Sequence, residues 1–279
     1  MTKFDRNHVV AETARQVRWW LAERLKKFRR LSHETMAINP FMAPAIMALH
    51  FHGNEDQFDE LAELLLGGHF MTGHSTGFGK LVDEKLLPNV FKTTKVDKAF
   101  RKIPPFNSDL FDEIDHVVGQ GSDAVLLSLK ASRWSIQLTM AKQLNRTFHQ
   151  LITARAIGEV RFKQIVVGVI YGNFKGGLPD KYRLVRGINT GAHHAVADIQ
   201  QHVEVVAGRG LWTWLNGGEE QTQDWVVDGI QDAIRSAGDE LTEAKKHLES
   251  YKAKFAENFR RHVTAEGIDW HAIVREING

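Results

Sequence analysis

The chain has 279 residues, 43% of them hydrophobic and 25% charged, which suits one large core or two modest ones and excludes a wholly disordered chain. The absence of cysteine excludes disulfide staples, thiolate metal sites and cysteine nucleophiles. A net charge of +2 leaves any anionic partner to be argued from local sites, and the lack of a long unbroken apolar run sets the expectation of a cytoplasmic location with no membrane partner.

Three stretches are expected: a helical segment over 1–75, a core of strands and helices over 76–217, and a second helical segment over 218–279. In the first, Val10, Ala14, Val17, Leu21 and Phe28 recur at three- and four-residue steps and mark an apolar stripe on a long helix. KKFRR closes that helix, and cations in a last turn are explained by the helix dipole without invoking a nucleic-acid patch. Asn39 and Pro40 open a second helix, and the run from Asp56 to Leu66 reads as a third that stops at Gly67 and Gly68.

In the middle stretch FGKLVDEKLLPNVF predicts a helix at least to Pro88. IDHVV and AVLLSLK predict two strands joined by the turn GQGSD, where Gly119 and Gly121 serve the turn rather than a phosphate. SIQLTMAKQLNRTFHQLI predicts a helix and QIVVGVIY a strand covered on both faces; KYRLVRG and HVEVVAG read as two more strands. Trp212 and Trp214 beside Leu215 read as packing, and helices resume with Trp225, Val226, Ile230 and Ile234 at helical spacing.

The chemistry-bearing residues cluster around AVLLSLK. Period-two alternation puts Ser128 and Lys130 on one face, and Glu113, Asp115 and Val117 share a face of the preceding strand. A hairpin register pairing Asp115 with Ser128 would bring the carboxylate within roughly 7–8 Å of the lysine's diagonal position. On the helix that follows, Gln137 projects into the stripe of Met140, Ala141, Leu144, Phe148 and Leu151, and a buried amide needs partners, expected at the same site. Glu84 lies on the helix ahead of the first strand, where by itself a glutamate is a solvated surface group.

The order of these parts, a helix with Glu84, a strand with Asp115, a strand ending Ser128-Leu129-Lys130 and a helix with Gln137, resembles the PD-(D/E)XK nuclease superfamily. MAINPF, MTGHSTGFGKLVDEKLLP, FDEIDHVV, LLSLKASRWSIQLTMAKQLN, VVGVIYGN and KYRLVRGINTGA are similar to segments of the type II restriction endonucleases that cut RGGNCCY. The resemblance implies an α/β fold with a restriction-endonuclease-like mixed central sheet flanked by helices, with additional helical segments at both ends. It also implies hydrolysis of double-stranded DNA, with Asp115 binding Mg²⁺ and Lys130 orienting or activating the attacking water. Ser128 departs from the pattern, since a second acid would normally stand there. Either Asp115, the Leu129 carbonyl and the scissile phosphate suffice around one metal, or Glu84, Asp112 or Glu113 fills the gap; the one-carboxylate arrangement, with Glu84 as helper, is the expectation.

A restriction enzyme must also hold and read a duplex. The stretch from Tyr171 to His194 offers Lys175, Lys181, Arg183, Arg186 and Asn189, with Lys181 and Arg186 as candidate base readers, and Arg133 and Trp134 as contacts to the backbone near the scissile phosphate. The pairs His50/His52, His69/His74 and His193/His194 lack the i, i+4 spacing of a helical zinc site. A palindromic site is matched by a two-fold homodimer, for which the N-terminal helix and the Trp225 to Ile234 helix supply apolar stripe, although both could close a monomer's core instead. Competing readings are a structure-specific repair or recombination nuclease, a non-catalytic DNA-binding protein on the same scaffold, and acyl transfer by Ser128 with Lys130 as base.

Overall fold

The computed structural model describes residues 2–29, 39, 41–53, 57–132, 135–154, 162–189 and 191–278. Among them are α1 (Arg6–Arg29), α2 (Ala43–Phe51), α3 (Phe58–Leu81), α4 (Leu87–Val90), α5 (Leu138–Ala154), α6 (Asp180–Val185), α7 (Arg209–Leu215), α8 (Thr222–Ser236), α9 (Gly238–Arg260) and α10 (Trp270–Asn278). The strands are β1 (Thr94–Lys95), β2 (His116–Val118), β3 (Val125–Ser132), β4 (Gln164–Tyr171), β5 (Val203–Ala207), β6 (Val263–Thr264) and β7 (Gly267–Ile268). The chain divides into two compact units, Met1–Val17 with Gly79–Asp232 and Arg18–Phe78 with Ala233–Gly279.

The first unit holds a five-stranded sheet in the order β1-β2-β3-β4-β5. β1, β2 and β3 run antiparallel, and β3, β4 and β5 run parallel, which makes the sheet mixed and puts β3 at its centre. One face, carrying Leu126, Ile165, Val167, Val169 and Val203, buries against Ala141, Leu144, Phe148 and Leu151 of α5 and Tyr182, Leu184 and Val185 of α6. The other face is approached by α7 at Gly168, where a Cβ would meet Leu211 Cδ1 at 2.9 Å and Leu127 Cδ1 at 3.0 Å. Helices on both faces explain why β4 is apolar at nearly every position.

Several elements differ from their sequence pattern for identifiable reasons. The pair Gly67-Gly68 does not end α3, which runs on to Leu81; a helical glycine costs about 1 kcal/mol relative to alanine but leaves the backbone bonds intact. A π-helical turn, Val82–Leu86, then resets the helix so that Pro88 sits in the first turn of α4, where its missing N–H is no loss. KYRLVRG is not a strand but α6 and its cap, begun after Pro179 at the N-cap; Tyr182, Leu184 and Val185 bury within that short helix. The turn GQGSD contains a 3₁₀ turn, with Gly119 and Gly121 at φ 82 and 60.

Within the α1 stripe Ala14 and Val17 are buried and Val10 and Leu21 half-buried, while the side chain of Phe28 lies outside the described residues, as does Pro40. The front of α1 packs on α8 inside the first unit: a Cβ at Gly229 would meet Thr13 Cβ at 2.6 Å and Val10 O at 2.7 Å. That close crossing closes the core of one chain with the stripe considered for a dimer. The second unit has its own core, in which Met47, Leu61, Leu65, Leu66, Tyr251, Phe255 and Ile273 cluster, and a small β6–β7 hairpin that the sequence pattern does not announce. Among the described residues no helix is long and apolar enough to cross a membrane.

Candidate active site

The β2–β3 ladder pairs His116 with Leu127, so its continuation sets Asp115 beside Ser128, the register that the loop allows. The backbone leaves the ladder there. The Asp115 N–H donates to Leu127 O at 2.9 Å, its carbonyl accepts from Val96 N–H at 2.8 Å, and its Oδ2 accepts from Leu129 N–H at 2.6 Å. A carboxylate thus takes the strand N–H that a neighbouring carbonyl would otherwise take. Burial pushes the Asp115 carboxyl above its usual range, against the Leu129 N–H and the Lys130 ammonium, which favour the charged form; the charge of Asp83 adds to the rise.

Lys130 is largely buried along its stem and brings its ammonium 3.8 Å from Glu113 Oε2. The N–H and C=O of an extended residue point to the same side, so the Leu129 carbonyl opens toward the edge occupied by Asp115. Of the three acids weighed as a second ligand, Glu113 is therefore the one beside Lys130. Asp112 pairs with Arg101 at 3.0 Å, and Glu84 is exposed. The π turn rotates the helix ahead of Pro88, and the acid it turns inward is Asp83, the residue before Glu84.

Ser128 sits on the face that carries Val167, is fully buried, and its hydroxyl has no hydrogen-bond partner among the described residues. A hydroxyl closed off in this way is not placed to meet a metal or a substrate, so the geometry gives no support to the acyl-transfer reading or to a catalytic role for Ser128. Gln137 is also corrected: α5 begins one residue later, so the apolar stripe has no turn for Gln137 to occupy, and Ile136 takes the interior position while Gln137 is exposed. The buried amide is Asn145. Its Oδ1 accepts from Ala197 N–H at 2.8 Å, and its Nδ2 donates to Ala197 O at 2.8 Å and Val185 O at 3.2 Å, tying α5 to α6. Its signal in the sequence is a lone polar residue flanked by Leu144 and Phe148.

The candidate DNA contacts divide. Tyr182 donates from its hydroxyl to Ser132 O at 3.0 Å, which anchors α6 at the exit of β3, the end of the sheet that carries Lys130. Burial pushes this phenol up to about 12, so it remains a donor. Lys181 is exposed on α6, Arg183 half-buried, and Lys175 exposed in the loop after β4. Arg186 is a strap instead: its Nε donates to Val203 O at 3.0 Å and its Nη2 to Gln200 O at 3.4 Å, so its guanidinium serves the fold. Asn189 accepts from His194 N–H at 2.7 Å. Arg133 and Trp134 lie outside the described residues.

Sequence reasoning missed a buried network next to Asp115. His116 is fully buried; its Nε2 donates to Asp83 Oδ1 at 2.8 Å, its Nδ1 meets Thr93 Oγ1 at 3.0 Å, and Asp83 also pairs with Lys95. Burial alone would raise Asp83, but the His116 and Lys95 contacts hold it below the ordinary carboxylate range. The only signal was a histidine opening an apolar strand.

Among the described residues no group of three or more histidines and acids could hold a metal. The donors at the end of β3, the Asp115 carboxylate and the Leu129 carbonyl, with Glu113 near by, are hard oxygens. They fit Mg²⁺, which takes one or two protein carboxylates and keeps several waters, and they do not fit a zinc centre. No protein-family model and no curated protein matches the chain.

Proposed function

We propose that the protein is a Mg²⁺-dependent endonuclease acting on double-stranded DNA, of the type II restriction class, with a PD-(D/E)XK-type core built on the mixed sheet. The observation that carries this reading is the convergence of Asp115, the Leu129 backbone, Lys130 and Glu113 at one end of the central strand. Asp115 and the Leu129 carbonyl would hold the ion, which supplies charge neutralisation at the phosphate and acidifies a bound water. Lys130, a donor of three hydrogen bonds, holds the attacking water or a phosphate oxygen. Glu113, 3.8 Å from the Lys130 ammonium, holds it in place and offers a carboxylate to accept the water's proton. Hydrolysis joins the water oxygen to phosphorus and releases one bridging oxygen, which leaves with a proton. Lys175, Lys181 and Arg183 supply phosphate contacts at the same end of the sheet. RGGNCCY is the first site to test, and its symmetry calls for a homodimer with one strand cut by each subunit.

The test is digestion of a plasmid of known sequence with Mg²⁺, with and without chelator, followed by sequencing of the ends. Fixed fragments are expected, lost with chelator and in Asp115→Ala and Lys130→Ala proteins. Persistent cutting by purified Lys130→Ala protein overturns the site. Fragments without a common end sequence indicate a structure-specific nuclease. One observation favours a non-catalytic DNA-binding protein: Ser128, where a second acid would stand, is buried without a hydrogen-bond partner among the described residues. Binding of the duplex in Mg²⁺ without cleavage identifies that case.

A further inference from the structure

The geometry points to Asp83 and His116 as positioning residues that hold Asp115 in the orientation needed to bind a divalent cation. Asp115 lies where the β2–β3 ladder stops, and a carboxylate at a strand end is free to rotate unless its neighbours are fixed. His116, the next residue, is fully buried and bonded at both ring nitrogens, to Asp83 Oδ1 at 2.8 Å and to Thr93 Oγ1 at 3.0 Å. The two partners come from different places, the π turn after α3 and the entry to β1, and His116 itself opens β2. Lys95, opposite His116 in the β1–β2 ladder, closes the ring by pairing with Asp83. The backbone on either side of the Asp115 side chain is thus pinned from the β1 side by Val96 N–H and from the helix by Asp83 through His116, and the carboxylate itself accepts from Leu129 N–H. A buried imidazole held this tightly at the next residue fixes the Asp115 backbone and so acts on the ligand at one remove; loss of a partner bonded directly to a ligand typically costs about 10–100-fold in metal affinity, which sets the upper range for this indirect effect.

The inference rests on the reading of Asp115 as the Mg²⁺ ligand, and its test separates the two. Mg²⁺ is titrated calorimetrically into metal-free protein, and hydrogen exchange of the Leu129 amide is compared with that of the β4 amides, which a global loss of stability would speed equally. In Asp83→Ala protein the Mg²⁺ Kd is expected to rise by up to about tenfold, and Leu129 is expected to lose protection selectively. Asp83→Asn, which keeps an acceptor for His116 Nε2–H, is expected to restore both to within a few-fold. Folded Asp83→Ala protein with the parent's Kd and the parent's Leu129 protection overturns the inference. Should Asp83→Ala fail to fold, Thr93→Val, which deletes one hydroxyl of the network, decides the same question with a smaller expected loss. If the parent binds no Mg²⁺, the metal reading fails, while the Leu129 comparison still decides whether Asp83 orients Asp115.

Discussion

At the scale of single residues, Ser128 and Asp115 are the informative pair. A buried hydroxyl without a partner carries a desolvation cost with no return, so Ser128→Ala is expected to stabilise the protein by about 1 kcal/mol and leave cleavage unchanged, read from urea midpoints and plasmid digestion. Ser128→Asp, which would restore the usual acid, is expected to destabilise it strongly instead, because the new charge would be buried against the α5 face. Asp115 carries the opposite lesson. Its pKa is raised by burial, so between the unfolded and folded values the native state binds more protons, and stability falls as pH rises through that window and stays lower above it. Asp115→Asn keeps an acceptor for Leu129 N–H and removes that loss. It is expected to be inactive yet more stable than the parent at pH 8, with the difference shrinking as pH falls toward about 4, the unfolded carboxylate range. Equal denaturation midpoints at pH 8 would count against the burial argument.

At the scale of elements, glycines separate what a helix wants from what its neighbours allow. Gly67 in α3 has open space where a Cβ would go, so Gly67→Ala is expected to gain about 1 kcal/mol from helix propensity. Gly229 in α8 faces the backbone of α1, so Gly229→Ala is expected to cost about 1–3 kcal/mol despite the same propensity gain. Thermal melts of the two variants should move in opposite directions. The same contrast explains the elements that the pattern misread. KYRLVRG alternates well enough for a strand, yet Pro179, the Asn145 bonds to Val185 and Ala197, and the Tyr182 hydroxyl on Ser132 hold it as α6. Glu84 and Asp83 are adjacent in a helix, and a π turn that no local signal marks decides which of them reaches the sheet.

At the scale of the molecule, three helices, α1, α3 and α8, each contain a point where the chain passes from one compact unit to the other. Each of those points lies inside a helix, so neither a turn nor a change of element type marks it in the sequence. The charge is likewise organised locally. Lys181 is exposed on α6 at the Lys130 end of the sheet, whereas Arg186 spends its guanidinium on Val203 and Gln200. Lys181→Ala is expected to weaken duplex binding for every sequence and to lower the salt slope by about 1, measured by titration across salt concentrations. Arg186→Ala is expected to lower the melting temperature without changing that slope. A lower slope in Arg186→Ala protein would return Arg186 to the DNA surface.

The sequence by itself determined the strands β3, β4 and β5, the helix α5, and the presence of Asp115 and Lys130 on neighbouring strands near one strand end. Those features follow from period, turn glycines and chain continuity, which are local. Only the tertiary structure decided that Ser128 is closed off, that Gln137 is outside and Asn145 inside, that Asp83 rather than Glu84 turns to the sheet, and that His116 sits bonded at both nitrogens beside Asp115. Each of those depends on which distant backbone or side chain arrives at a position, and burial and hydrogen-bond satisfaction are properties of that arrival, not of the residues taken in order.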